Sequence, residues 1–270
     1  MGAGTDFHIV ERGAGPPLVL IPGVQGRWEY SRGIVDALAS FYRVITFSLC
    51  DERPSRAEPR IDVFAEQVTR ALDRLGIEQA AVVGVSFGGL VALRFAATRA
   101  DRTSALVMIS APGPQWHLRP RHERYARLPW LFGPVFLVEA PFRLGREVRA
   151  ALPGWPARLK YLANQLTTLV SAPASVSRMA SRARLIAPYD RVADCARVTA
   201  PTLVVQGDES LDHVTGSGGT AEYSRLITGA RLVRMPDTGH LGSVTQPRRC
   251  ADLVRRFLID TIKDTHHSAA

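Results

Sequence analysis

A mostly parallel β-sheet with helices packed on both faces is the α/β fold class that this sequence predicts, on three observations. Short apolar runs alternate with segments of helical periodicity along most of the chain. The runs are continuous instead of alternating polar and apolar, as strands buried on both faces must be. Turn-forming Gly, Pro, Asp or Ser follows each run.

Taken in order, LVLIPG (18–23) is a buried strand ending in a turn, and residues 28–40 carry a helix. RVITFSL (43–49) is the next strand, followed by an amphipathic helix over 61–75. AAVVGVS (80–86) runs into a helix over GGLVALRFAATRA, and SALVMIS (104–110) is a further strand. After a long segment of different character the alternation resumes with PTLVVQG (201–207), a helix near 220–228, ARLVRMP (230–236) and a closing helix near 246–263. Ligands of such sheets bind outside the carboxyl ends of the strands, so the residues just beyond each run are the candidates for chemistry.

Composition narrows the class. With 270 residues, 46% hydrophobic and 22% charged, the chain can bury a sizeable core as one domain. Cys50, Cys195 and Cys250 are odd in number and far apart, which suggests neither a disulfide framework nor a zinc site, and points to a reducing compartment. The stretch MGAGTDFHIVERG lacks the basic start and apolar core of a signal peptide, and Asp6 stands where a myristoylation signal needs Ser or Thr. No apolar run approaches the ~20 residues of a membrane span. The expectation is a soluble, cytoplasmic protein. The net charge of +9 comes almost wholly from arginine, since lysine occurs only as Lys160 and Lys263. The arginines run from Arg12 to Arg256 without a clustered stripe or interleaved aromatics, so nucleic acid is not an expected partner.

The strand ends hold the reactive residue types. Ser86 ends AAVVGVS between Gly84 and Gly88, Gly23 and Val24 end LVLIPG, Asp208 and Asp212 follow PTLVVQG, and His240 follows ARLVRMP. A serine hydroxyl is a weak nucleophile that needs a base within hydrogen-bond reach, and the base needs a third group to fix its tautomer. Glycines at 84 and 88 suit a tight strand-to-helix turn. That turn aims the first amides of the following helix at the reaction centre, so the Phe87 N–H is placed to hold a developing oxyanion.

With these residues in the order Ser, Asp, His, the chain resembles the α/β-hydrolase family, whose nucleophile elbow is similar to Gly84-Val85-Ser86-Phe87-Gly88. The resemblance covers essentially the whole chain, 1–270, outside an inserted segment at 112–199. It implies a second oxyanion donor in Pro22-Gly23-Val24-Gln25-Gly26, the Val24 N–H, with Pro22 replacing a histidine that often braces this loop. Gln25, Arg27 and Trp28 are candidates for the pocket rim. It also implies an aspartate a few residues past the strand glycine, with a proline four residues beyond. In Gly207-Asp208-Glu209-Ser210-Leu211-Asp212-His213-Val214-Thr215-Gly216, Asp212 keeps the Asp-x-Val pattern and is the preferred acid. Asp208, which reads as a turn cap, and Glu209 are the alternatives. Gly216 stands where proline is usual, and the run Thr215-Gly216-Ser217-Gly218-Gly219 reads as mobile. His240 is the base. His8, His117, His122 and His213 lack such a setting, and His266 with His267 belong to a polar tail. Cys50, Asp51 and Arg53 read as a structural loop.

Between Ala111 and Ala200 the resemblance implies a helical cap over the serine. The segment holds Trp116, Trp130, Trp155, Phe132, Phe136 and Phe142, which either form a greasy acyl pocket or pack the cap onto the sheet. Its basic flank and apolar run LFGPVFLVEAPF could touch a membrane, but prolines at 129, 134 and 141 argue against a long amphipathic helix and stable insertion. The expectation is a serine hydrolase of small, apolar carboxylic esters. Ser86 is the nucleophile, His240 the base and Asp212 the acid, with no metal or organic cofactor implied. A serine at the elbow argues against the dehalogenases and epoxide hydrolases of this fold, which use aspartate. Carbon–carbon bond or lactone hydrolysis, and a small-molecule receptor with little turnover, are the alternatives. The residues leave the oligomeric state open.

Overall fold

The computed structural model describes residues 8–51, 60–216 and 219–268, and in residues 137, 262 and 264–268 the backbone only. Asp6, Arg53, Ser217 and Gly218, and the side chains of His266 and His267, lie outside what is described.

Seven strands form one sheet: β1 (Ile9–Arg12), β2 (Pro17–Ile21), β3 (Arg43–Phe47), β4 (Ala80–Val85), β5 (Thr103–Ile109), β6 (Thr202–Gly207) and β7 (Arg231–Met235). Their order is β1-β3-β2-β4-β5-β6-β7, with β1 antiparallel to β3 and every other pair parallel. The central β4 is buried at every position, which is why AAVVGV is written without a polar residue. One face of the sheet is covered by α2 (Asp62–Arg74) and α3 (Phe87–Thr98), packed through Phe64, Val68, Leu72 and Leu90. The other is covered by α1 (Arg32–Leu38) and a long C-terminal helix over Pro247–Ser268, through Ile34, Leu38, Val254 and Phe257. The sequence periodicity missed β1, because its four residues pair on one side only and two of them stay exposed.

Between β5 and β6 stand five helices: α4 (Pro120–Arg127), α5 (Pro129–Ala151), α6 (Trp155–Ser171), α7 (Val176–Arg184) and α8 (Arg191–Cys195). After β6 come α9 (Tyr223–Leu226) and α10 (Gly242–Thr245), and the C-terminal helix is α11. The expectation that proline breaks the helical run at 129–142 is corrected here, since α5 continues through Pro134 and Pro141 for 23 residues. Pro129 sits in the first turn, where no amide partner is lost. Near Pro141 the Arg143 guanidinium donates to the Phe136 carbonyl at 3.1 Å. Among the described residues no helix is long and apolar enough to cross a membrane.

Candidate active site

The site grows out of β4. Ser86 is the residue between β4 and α3, with φ 54 and ψ −119, a backbone conformation that residues with a side chain rarely adopt. The Ser86 amide donates to the Ile109 carbonyl at 2.8 Å, and its carbonyl accepts from Gly89 N–H at 2.9 Å. The surrounding glycines are required by close approach. A Cβ at Gly84 would lie 2.1 Å from the Gly88 oxygen, and one at Gly88 would lie 2.3 Å from the Ile21 oxygen. The serine side chain is thereby lifted out of the core at the head of the sheet while remaining 9% exposed.

His240 arrives from the loop after β7, and its Nε2 lies 2.9 Å from Ser86 Oγ, across 154 residues of sequence. The loops after β6 and β7 are joined where the Asp208 amide donates to the Thr238 carbonyl at 2.5 Å. Asp212 is buried, and its Oδ2 is 3.6 Å from His240 Nδ1. That separation is an electrostatic pair, and Nδ1 has no hydrogen-bond partner. A shift of roughly 0.5 Å brings it into hydrogen-bond range. Burial alone would raise the Asp212 carboxyl, yet the neighbouring imidazole and the Thr215 donors hold it below the ordinary carboxylate range. For His240 burial acts downward, and the charges of Asp212 and then Glu147 overcome it, leaving the imidazole above its ordinary value.

Asp208 and Glu209, the other carboxylates of this loop, are elsewhere. Asp208 is exposed and accepts from Ser210 N–H at 2.9 Å and Ser210 Oγ at 2.8 Å, a turn cap. Glu209 accepts from Gln206 Nε2 and pairs with Arg234. Of the run Thr215–Gly219, Ser217 and Gly218 lie outside the described residues, while Thr215 is buried against Asp212. Asp212 Oδ1 accepts from the amides of Val214 and Thr215 at 2.8 Å each, and Oδ2 accepts from Thr215 Oγ1. These bonds do the fixing that a proline at 216 would do by stiffening the chain. Trp116, from the segment after β5, braces the same loop by donating Nε1–H to the Val214 carbonyl at 2.7 Å.

The loop after β2 lies against the nucleophile. A Cβ built on Gly23 would be 3.5 Å from Ser86 Cβ, so the loop that carries the Val24 amide runs beside Ser86. Phe87, the other candidate donor, is the first residue of α3, where amides lack intrahelical partners. The bracing histidine absent at Pro22 has a substitute that the sequence concealed. Arg182 on α7, 2% exposed, donates to the Val24 carbonyl at 2.9 Å and the Leu49 carbonyl at 3.1 Å, and pairs with Asp51 at 2.6 Å. Gly26 has φ +69, and a Cβ there would meet Arg182 Nη1 at 1.9 Å, so glycine makes room for the guanidinium.

A second residue that the sequence concealed is Glu147, fully buried on α5. Its Oε1 accepts from the amides of Gly239 and Leu241, at 2.7 and 2.5 Å, on both sides of His240. Burial pushes this carboxyl above its ordinary value, against the opposing effect of those two amides. Cys50 takes no part in this cluster, and burial raises its thiol while Gln67 bonds both its amide and its carbonyl. Arg27 pairs with Glu29, and the Trp28 ring lies under the Arg32 guanidinium. His8 and His117 are exposed, and His122 packs beside Tyr125 and Phe136 in the inserted helices. A surface hollow between α2 and α3, lined by Asp62, Glu66, Arg70, Arg94 and Arg99, includes none of the site residues. Among the described residues no group of three His, Cys, Asp or Glu side chains is arranged to hold a metal.

Comparison with known proteins agrees with this architecture. Residues 16–247 match the family model described as alpha/beta hydrolase fold. The pimeloyl-[acyl-carrier protein] methyl ester esterase of Nitrosomonas europaea is 25% identical over 91% of this chain and 96% of its own length. Polyketide synthase ThaQ of Burkholderia thailandensis is 28% identical over 96% of this chain, which spans 12% of that protein. Among solved structures, the enol-lactonase from Burkholderia xenovorans LB400 shares the fold with a TM-score of 0.73 at 21% identity, covering 95% of this chain and 98% of that one.

Proposed function

The chain belongs to the α/β-hydrolase family, and from that premise we propose that it is a serine hydrolase of small, apolar carboxylic esters working through an acyl-enzyme. The observation that carries this reading is the 2.9 Å contact of His240 Nε2 with the oxygen of a serine held at φ 54. In the proposed cycle Ser86 Oγ bonds to the carbonyl carbon as its proton passes to His240 Nε2. The carbonyl oxygen becomes an oxyanion received by the Val24 and Phe87 amides, each such donor contributing ~3 kcal/mol to the transition state. Collapse expels the alcohol, which takes the proton from His240. Water then attacks the acyl-enzyme, giving its proton to His240, and the acid leaves as Ser86 recovers its hydrogen. Asp212 holds the imidazolium, a role supported by a carboxyl kept ionised next to Nδ1.

The helices at 112–199 act in this reading as a lid. Support comes from Glu147 and Arg182, through which the insertion grips the loops of both His240 and Val24. The ester is suggested by an ester-cleaving relative that matches over nearly its full length, and its apolar character by the aromatic residues that the insertion holds. Turnover of p-nitrophenyl acetate and butyrate tests the proposal. Multiple turnovers that vanish in Ser86→Ala are expected. Tight binding of such esters without turnover, unchanged in Ser86→Ala, is the result that replaces the enzyme by a receptor.

A further inference from the structure

The inserted helices carry two outward apolar stripes that no part of the described chain covers. At the start of α5 and along it, Leu128, Leu131, Val135, Val138 and Phe142 recur at steps of three and four residues, which places them along one side, and they are 41 to 83% exposed. On α6, Trp155, Leu159, Leu162, Leu166 and Leu169 follow the same spacing at 46 to 74% exposed, and that helix buries no side chain. Phe136 and Glu147 lie on the side of α5 turned away from the stripe, with Phe132 on its flank against Tyr125, so the stripe is not a slipped core face. Solitary exposed leucines are ordinary, whereas contiguous apolar faces on two successive helices mark a contact surface.

Charge identifies the partner. Fourteen of the 34 basic residues and five of the 25 acidic ones fall in 112–199, so the insertion holds a net +9, while the rest of the chain, with 20 of each sign, is neutral. The arginines are spread along the sequence, but their excess is confined to this segment. Arg119, Arg124, Arg146, Arg149, Lys160 and Arg184 are exposed members of it.

We propose that the insertion docks on an anionic phospholipid bilayer, with the stripes of α5 and α6 at the level where headgroups meet acyl chains and the arginines against lipid phosphates. The unbroken α5 supplies the long amphipathic surface that a monotopic contact needs. Trp130 and Trp155, both about three-quarters exposed, lie at the first turns of α5 and α6, and tryptophan favours the membrane–water boundary. A second copy of the chain would match the apolar stripes but set two cationic surfaces against each other. An acidic protein would match the charge but offers no hydrocarbon for ten large apolar side chains. The contact is peripheral and reversible, and no helix crosses the membrane.

The test floats the full-length protein with phosphatidylcholine vesicles that contain or lack phosphatidylglycerol, and records tryptophan emission. Binding is expected only with the anionic lipid, with a blue shift, weakened on the order of tenfold by raised salt. Val135→Asp with Val138→Asp abolishes it, and Arg146→Gln with Arg149→Gln weakens it about tenfold. Hydrolysis of dissolved p-nitrophenyl butyrate stays unchanged in both, and if the aspartate pair fails to fold, the glutamine pair decides. No binding to anionic vesicles, equal binding to neutral ones, or binding indifferent to both pairs overturns the proposal. So does sedimentation showing a dimer that the aspartate pair dissociates, or retention by an acidic carrier protein without any vesicle binding.

Discussion

At the head of the sheet Ser86, Asp212 and His240 are nearly sealed from water and every neighbour is specified, whereas on α5 and α6 Phe142 and Trp155 stand in solvent. The two regions also divide the charge, the sheet and its helices being neutral and the insertion +9. The difference teaches that the fold has two kinds of polar and apolar placement. In the sheet they are settled by packing within the chain, and the positive φ of Ser86 sits where Gly84 and Gly88 let β2, β4 and α3 approach closely. In the insertion only the inward side is settled, by Glu147 and Arg182, and the outward side has the composition of a surface waiting for something else.

The largest effect is expected where the sealed region is cut. Ser86→Ala or His240→Ala should lower kcat for p-nitrophenyl butyrate on the order of 100,000-fold with an unchanged circular dichroism spectrum. Asp212→Asn should cost about 10,000-fold and also move the pH profile. In the proposed cycle His240 acts as the base in its neutral form, and its value is raised chiefly by Asp212 acting against burial. Activity should therefore climb with pH along a limb above the ordinary imidazole value, and that limb should fall in Asp212→Asn. A pH–kcat/KM series on both proteins checks the sign.

The joints between the regions come next. Arg182→Met leaves Asp51 with only the longer Arg178 pair and frees the Val24 loop, and is expected to cost about 3 kcal/mol in urea unfolding along with a lowered kcat. Glu147→Gln keeps an oxygen for the Gly239 and Leu241 amides and removes only charge, so a few-fold change in kcat is expected, with the acidic limb displaced downward. Its stability effect has a defined sign. The folded carboxyl sits above its ordinary value, so the native state retains the proton longer and wild-type stability falls as pH rises from the ordinary carboxylate value to the raised one. The glutamine variant should lack that decline, which thermal melts across the acidic range will report.

How far the sequence could be read follows the same division. The strands were legible because burial on both faces demands uninterrupted apolar runs such as AAVVGV, and Gly84 and Gly88 marked the turn. Short β1 gave no such run, since the residues of an edge strand need only half the burial. The acid was separable from Asp208 by its distance from the strand end, though what fixes it, Thr215 and Trp116, was not. Glu147 and Arg182 were invisible because they act across 92 and 158 residues of sequence, and nothing local distinguishes them from solvent-facing neighbours. Glu147 did leave a trace, as an acid at the inward spacing of Phe136 and Arg143. Pro134 and Pro141 misdirected the reading of α5, because tertiary packing sustained a helix that local propensity opposes.

The central claim is that Ser86 is an activated nucleophile, and intact-protein mass spectrometry after brief exposure to a fluorophosphonate tests it most directly. One covalent phosphonyl group on Ser86 is predicted, absent from Ser86→Ala and slow to form in Asp212→Asn. A protein that stays unmodified, or carries the group on another residue at the same rate in all three chains, contradicts the account.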